Sequence, residues 1–272
     1  MLRILVPTDF TDSSKNAVNY AAALTHVIEA ELYLLNVTHV KGTPHVTITE
    51  DFEQVVSEQA EIQLENLKEE LSRTKPGIKV EVFMAEGYPV HQFVHRVAEK
   101  NGIDLIVMSG SESSGTRAFL GSTTTNVLEN MPCPVLVVPK DARFEGFNNI
   151  LYATDLKKEA DELPLVIDFA RLFNAKLHIL HIIEKQKVTI NDVEKGKLLR
   201  EKYRYSDLKF TILKAEDKAR EIERYARENK EDLILIFIHN RSYFENLFQY
   251  SVTKELSFES SVPLLVFKKP GE

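Results

Sequence analysis

Short apolar runs, separated by longer stretches of helical period, set the plan of this chain. Ile4-Leu5-Val6 is unbroken and stops at Pro7-Thr8-Asp9, which reads as a buried parallel strand ending in a polar turn. Asp12 and Ser13 stand as N-cap residues ahead of Ala17, Tyr20, Ala21, Leu24 and Ile28, a spacing that gives a helix one buried face. Residues 31–37 form a second strand, followed by a loop with Gly42 and Pro44. Residues 50–73 set Phe52, Val55, Val56, Ile62, Leu67 and Leu71 among many Glu and Lys, an amphipathic helix with a solvated acidic face that Pro76-Gly77 ends. Residues 79–83 alternate as a third strand. Gly87 to Asn101 is a helix with Val90, Phe93, Val94 and Val97 inward, and 104–108 is a fourth strand. A Ser/Gly loop at 109–116 leads to Gly121-Ser122-Thr123-Thr124, which opens a helix, and Pro134 introduces a fifth strand at 135–138.

Strands alternating with helices imply right-handed βαβ crossovers and a doubly wound parallel α/β sheet. The pattern then restarts. Asn149-Ile150-Leu151-Tyr152-Ala153-Thr154-Asp155 repeats the first strand, with Thr154-Asp155 matching Thr8-Asp9. Ala175–Leu180 matches Ala30–Leu35, and Asp232–Ile236 matches Asp104–Met108. In the closing segments Ser122/Ser251, Thr124/Thr253, Pro134/Pro263, Leu136/Leu265, Val137/Val266 and Lys140/Lys269 are identical pairs. The spacing between copies falls from 146 at the first strand to 129 at the last, so the second copy is shorter, chiefly where the acidic helix lies. Two domains follow, 1–140 and 147–270, joined by a short linker.

Composition narrows the function. Hydrophobic content of 43% and charged content of 28% fit a globular chain. A net charge of −7 argues against a nucleic-acid partner, whose binding rests on neutralising phosphates. The single cysteine, Cys133, cannot pair internally and reads as an inert buried thiol. No stretch approaches the ~18 apolar residues of a spanning helix. The expectation is a cytoplasmic protein with no membrane partner.

Several features together resemble the universal stress protein family. They are the strand ending Val6-Pro7-Thr8-Asp9, Glu86-Gly87-Tyr88-Pro89 before a helix, Asp104-Leu105-Ile106-Val107-Met108, the Gly/Ser loop and Gly121-Ser122. The order of elements agrees over essentially the whole chain, taken as two such domains in tandem. The resemblance implies two open five-stranded sheets of strand order 3-2-1-4-5. It also implies ATP, with Mg²⁺, at the carboxyl ends of the first and fourth strands. There it points to Pro7, Thr8, Asp9, Met108 and Gly110, with adenine against the backbone around Val37 and phosphates at Gly121, Ser122, Thr123 and Thr124. Family members pair through the fifth strand, and an exposed apolar edge needs a partner. Strands 135–138 and 264–267 are therefore expected side by side and antiparallel as an internal pseudo-dimer, to which a further homodimer can be added.

The residues themselves point to the same end of the sheet, because ligands of open α/β sheets sit where strand order reverses. Gly121 permits close backbone approach, and Ser122 and Thr123 open a helix whose free N–H groups attract anions. The alternative is that Ser122 merely caps the helix and Asp9 its turn. The loop departs from the nucleotide-binding pattern. Gly110 and Gly121 enclose ten residues where twelve are wanted, Ser113 stands in place of the second glycine, and Glu112 adds a negative charge. The second copy departs further: residues 237–250 lack glycine, and Tyr250 replaces Gly121. Nucleotide is thus expected in the first domain only; His239 and Arg241 are the polar residues of the second loop that could meet another anion. His91 and His95 have ligand spacing without a visible third ligand. No Ser/His/Asp or paired-carboxylate arrangement stands out as catalytic. The reading is a stress-response module that binds ATP in its first domain and acts through a partner, set against a nucleotide-free scaffold or a weak ATP hydrolase.

Overall fold

The computed structural model describes residues 1–39, 50–110, 122–156, 159–183, 194, 198–199, 201–238 and 260–268. The chain divides into two compact units, the division after the first falling between Phe144 and Glu145.

The first unit runs β1 (Leu2–Pro7), α1 (Asp12–Leu24), β2 (Ala30–Thr38), α2 (Glu50–Thr74), β3 (Val80–Glu86), α3 (Val90–Lys100), β4 (Leu105–Ser109), α4 (Ser122–Glu129) and β5 (Val135–Val138). Its strands are all parallel, in the order β3-β2-β1-β4-β5. Order reverses between β1 and β4, so this is the switch point where the connections leave in opposite directions. Ile4, Leu5, Leu32, Leu34, Ile106 and Val107 have no exposed surface. Strands covered on both faces need such continuous apolar runs, and each buried leucine or isoleucine contributes about 1.5–3 kcal/mol.

Two expectations shift. The N-cap of α1 is Thr11, whose side chain accepts from the Ser14 N–H, and Asp12 is the first helical residue. In α2 the buried line is Ala60, Leu64, Leu67 and Leu71, whereas Val55 is 48% and Ile62 60% exposed. A stripe at i, i+4, i+7 and i+11 is enough to seat the helix, leaving the other aliphatics outside it. The side chain of Phe52 lies outside the described residues.

The segment after β5 stays with the first unit. Asn16 Nδ2 donates to the carbonyls of Pro139 and Ala142 at 3.1 and 2.9 Å, and Phe144 meets the Tyr20 ring edge-on at 5.3 Å.

The second unit runs β6 (Asn149–Thr154), α5 (Glu159–Leu172), β7 (Lys176–Ile183), β8 (Leu208–Lys214), α6 (Lys218–Glu228), β9 (Leu233–Ile238) and β10 (Leu264–Lys268). Its order, β8-β7-β6-β9-β10, is parallel throughout and repeats that of the first unit. Both units anchor the first strand in the same way. Asp104 accepts from the Arg3 N–H at 2.8 Å, and Asp232 accepts from the N–H groups of Asn148 and Asn149 at 2.8 Å.

Candidate functional site

At the carboxyl end of β1 the chain must turn sharply to enter α1. Thr8 is buried, and its Oγ1 accepts from the Phe10 N–H at 3.2 Å while lying 3.0 Å from Ser14 Oγ. The turn puts Phe10 at a φ of 65°, a left-handed conformation that a non-glycine residue adopts only when its surroundings enforce it. Asp9 is thereby left exposed at the mouth of the turn. Its Oδ1 accepts from Thr11 Oγ1 at 2.7 Å and from the Thr11 N–H at 3.2 Å. Desolvation pushes this carboxyl up, but hydrogen bonds from the Thr11 and Ser14 side chains and the Thr11 backbone outweigh it, leaving it below its ordinary value. Asp9 is therefore a carboxylate at neutral pH.

The neighbouring elements are tied to this turn. From β2, Asn36 Nδ2 donates to the Thr8 carbonyl at 2.7 Å. Asn36 Oδ1 is buried and accepts no hydrogen bond among the described residues. From β4, the Gly110 N–H donates to Val138 O at 2.8 Å, and its carbonyl accepts from Ser13 Oγ at 3.5 Å. From α4, the buried Thr124 hydroxyl donates to the Ser109 carbonyl at 3.2 Å. Hydrogen bonds thus fix the ends of β1, β2 and β4 and the starts of α1 and α4 at one rim of the sheet.

Of the sequence-derived set, Pro7, Thr8, Asp9, Val37, Gly110, Ser122, Thr123 and Thr124 lie at this rim, with Ser122 exposed and Thr123 and Val37 half-buried. Met108 pairs with Val137 inside the sheet and is buried. Gly121 and the altered loop with Glu112, Ser113 and Gly115 lie outside the described residues, as do His239, Arg241, Tyr250, Ser251 and Thr253. Sequence reasoning did not single out Thr11, Ser14, Ser109 or Asn36. Only Asn36 carried a signal, a polar residue inside the apolar run Leu32-Tyr33-Leu34-Leu35 and Val37.

The second unit keeps the turn but lacks the serine hydroxyl behind it. Thr154 Oγ1 accepts from the Leu156 N–H at 3.1 Å, and Leu156 has a φ of 58°. His181 stands at the position of Asn36, with Nδ1 2.9 Å from the Thr154 carbonyl. Ala160 occupies the position of Ser14, so the hydroxyl behind the turn is gone. His95 Nδ1 lies 3.4 Å from a Glu99 oxygen, and no group of three metal-ligating side chains occurs among the described residues. Burial, then the Asp104 carboxylate, pushes the Cys133 thiol up to about 12, so it stays protonated and unreactive at neutral pH. Among the described residues no helix is long and apolar enough to cross a membrane.

Comparison with known proteins places this arrangement. The profile of the universal stress protein family matches residues 1–139 and again 146–268. A universal stress protein of Methanocaldococcus jannaschii is 34% identical over 142 residues, spanning 51% of this chain and 82% of that protein. A universal stress protein of Synechocystis is 23% identical over 292 residues, spanning 98% of this chain and 100% of that one. The crystal structure of a universal stress protein from Archaeoglobus fulgidus superposes with a TM-score of 0.77 at 21% identity, covering 98% of both chains, a likeness of fold.

Proposed function

Because this chain belongs to the universal stress protein family, present as two copies in tandem, we propose that its first unit binds an adenine nucleotide with Mg²⁺ at the rim of β1, β2 and β4. The second unit keeps the architecture without the ligand. Binding then changes how the first unit presents itself to a partner, which makes the protein a stress-response module.

The observation that carries this reading is the ionised, exposed Asp9, held on a hydrogen-bonded turn at the same rim of the sheet as the start of α4. Such a carboxylate suits a hard cation, and the first turn of a helix offers N–H groups to phosphate oxygens. Mg²⁺ would supply the positive charge between Asp9 and the phosphates, which a net charge of −7 leaves the chain short of. The hydroxyls of Ser122 and Thr123 add donors, and Asn36 Oδ1 is an acceptor in search of one. The resemblance set out above implies the same ligand at the same residues.

Isothermal titration of the whole chain with Mg·ATP tests it. The expected result is saturable heat at or below millimolar nucleotide, weakened at least tenfold in Asp9→Ala and abolished in Gly121→Tyr, which copies the residue of the second repeat. No heat at millimolar Mg·ATP overturns it.

A further inference from the structure

Helix α5 of the second unit turns leucine outward as well as inward. Its inner side is a complete seam, with Leu163, Val166, Ile167 and Ala170 at 2% exposure or less. On the opposite side Leu165 is 43% and Leu172 57% exposed. A single exposed leucine is ordinary on a protein surface. These two stand seven residues apart, close to two helical turns, and so fall on one line along the helix. Asp161 and Asp168 lie on the same line and Arg171 flanks it, all three exposed. The first repeat shows that the fold does not require such a face. Its inner residues Ala17, Tyr20, Ala21 and Leu24 are buried at the equivalent positions. Where the second repeat exposes Leu165 and Leu172, however, α1 and the turn that ends it expose Asn19 and His26.

The charges along this line say what covers it. Acid comes first, at Asp161 and Asp168; base gathers at the carboxyl end, at Arg171 and, just beyond the helix, at the exposed Lys176. Asp168 and Arg171 already meet at 3.2 Å within the helix. A face graded from acid to base is complementary to a copy of itself running the other way. Turned about a two-fold axis level with Asp168 and Phe169, α5 sets Leu165 of one copy opposite Leu172 of the other, and the reverse. Each Arg171 then comes within about 3 Å, measured along the helix, of the level of the other copy's Asp168. The antiparallel helix dipoles add to the attraction. A parallel arrangement would set acid on acid, and an anionic lipid or nucleic-acid surface would be repelled by the same carboxylates.

We propose that the outer face of α5 is a self-association surface, on which two copies of this chain pair α5 against α5, antiparallel, about a two-fold axis. The contact is independent of the nucleotide reading. One helix pair covers less than the ~800 Å² that a standard interface takes from each partner, so the dimer is weak and depends on concentration. Sedimentation equilibrium of the whole chain, from micromolar to millimolar, tests it. The expected result is a monomer–dimer equilibrium in the parental protein. It is weakened by at least about tenfold when Leu165→Asn and Leu172→His are combined, which copies the first unit. Two further variants read the charges. Asp168→Lys and Arg171→Glu should each weaken self-association, and an equimolar mixture of the two should recover near-parental affinity, because a basic face then meets an acidic one. Parental protein that stays monomeric throughout overturns the proposal. So does a dimer that the leucine double variant leaves unchanged, or a mixture that associates no more tightly than either variant alone. All four substituted side chains are exposed, so unaltered thermal melts are expected and exclude misfolding as the cause.

Discussion

The turns after β1 and β6 share a backbone and differ in what surrounds it. Each has a threonine hydroxyl accepting from the N–H two residues on, a non-glycine residue at positive φ, and a side chain from the adjacent strand on the threonine carbonyl. In the first unit Thr11 and Ser14 brace this frame and Asp9 projects from it. In the second, Ala160 has replaced Ser14. The Thr-Asp pair is therefore a device for turning a buried strand into a helix. Under the proposal made above, a ligand site is added to it only in the first unit, where hydroxyls and an open acceptor surround the turn. A motif found in both copies can be architecture in both and function in one.

The largest effects should be equal in the two units, because they strike what is shared. Leu5 and Leu151 occupy equivalent, fully buried positions. Substituting either by Ala is expected to cost about 3–4 kcal/mol in denaturant unfolding. A loss confined to one unit would break the equivalence.

The next prediction concerns an exchange of chemistry beneath the second sheet. His178 and Glu231 are hydrogen-bonded there; the glutamate side chain has no exposed surface, and its Oε2 accepts no hydrogen bond among the described residues. The equivalent positions of the first unit are Tyr33 and Ile103, both buried. His178→Ala leaves the buried glutamate without its hydrogen-bond partner and should cost about 2–3 kcal/mol. The double substitution His178→Tyr with Glu231→Ile, copying the first unit, should return stability close to the parental value. A double variant as unstable as the single one would show that the units differ in more than this pair.

A smaller effect is expected at the turns themselves. Thr8→Val and Thr154→Val each remove the acceptor of one backbone N–H, part-buried in the first unit and buried in the second, at about 1–2 kcal/mol. Only Thr8→Val should also weaken Mg·ATP, as titration of the two variants would reveal.

The smallest is a pH effect. The folded Asp9 carboxyl lies below its ordinary 3.8. Its hydrogen bonds therefore contribute stability above that pH, and the contribution is lost as pH falls through the lower folded value. Asp9→Asn should flatten this acid limb in thermal melts taken below pH 3.8. An unchanged limb would mean that the turn does not favour the ionised form.

The fold was legible because buried parallel strands announce themselves as unbroken apolar runs. The strand at 135–138 matches β5 residue for residue, β4 is shifted from its expected bounds by one residue, and β1 begins two residues earlier and ends one later than its apolar run. Their order followed from the family resemblance and the alternation of elements. What was not legible depends on geometry. Thr11, Asp12 and Ser13 are all good capping residues, and only the extended backbone at Thr11 decides among them. In a helix as long as α2, more aliphatics are present than one stripe can bury, so pattern alone overcounts the seam. The Asn36 clasp and the His178–Glu231 pair join residues 28 and 53 positions apart, and neither exists until strand register brings them together.

The grip of Asn16 on Pro139 and Ala142, with Tyr20 against Phe144, bears on how the molecule can be divided. The apolar strand ends at Val138, and a cut placed just beyond it looks natural from the repeat. Such a cut would leave the Asn16 amide of α1 without either of its two carbonyl acceptors and uncover a tyrosine ring. An excised first half should therefore end after Phe144, and the residues most readily dismissed as a tether are the ones that seal its last helix-to-sheet seam.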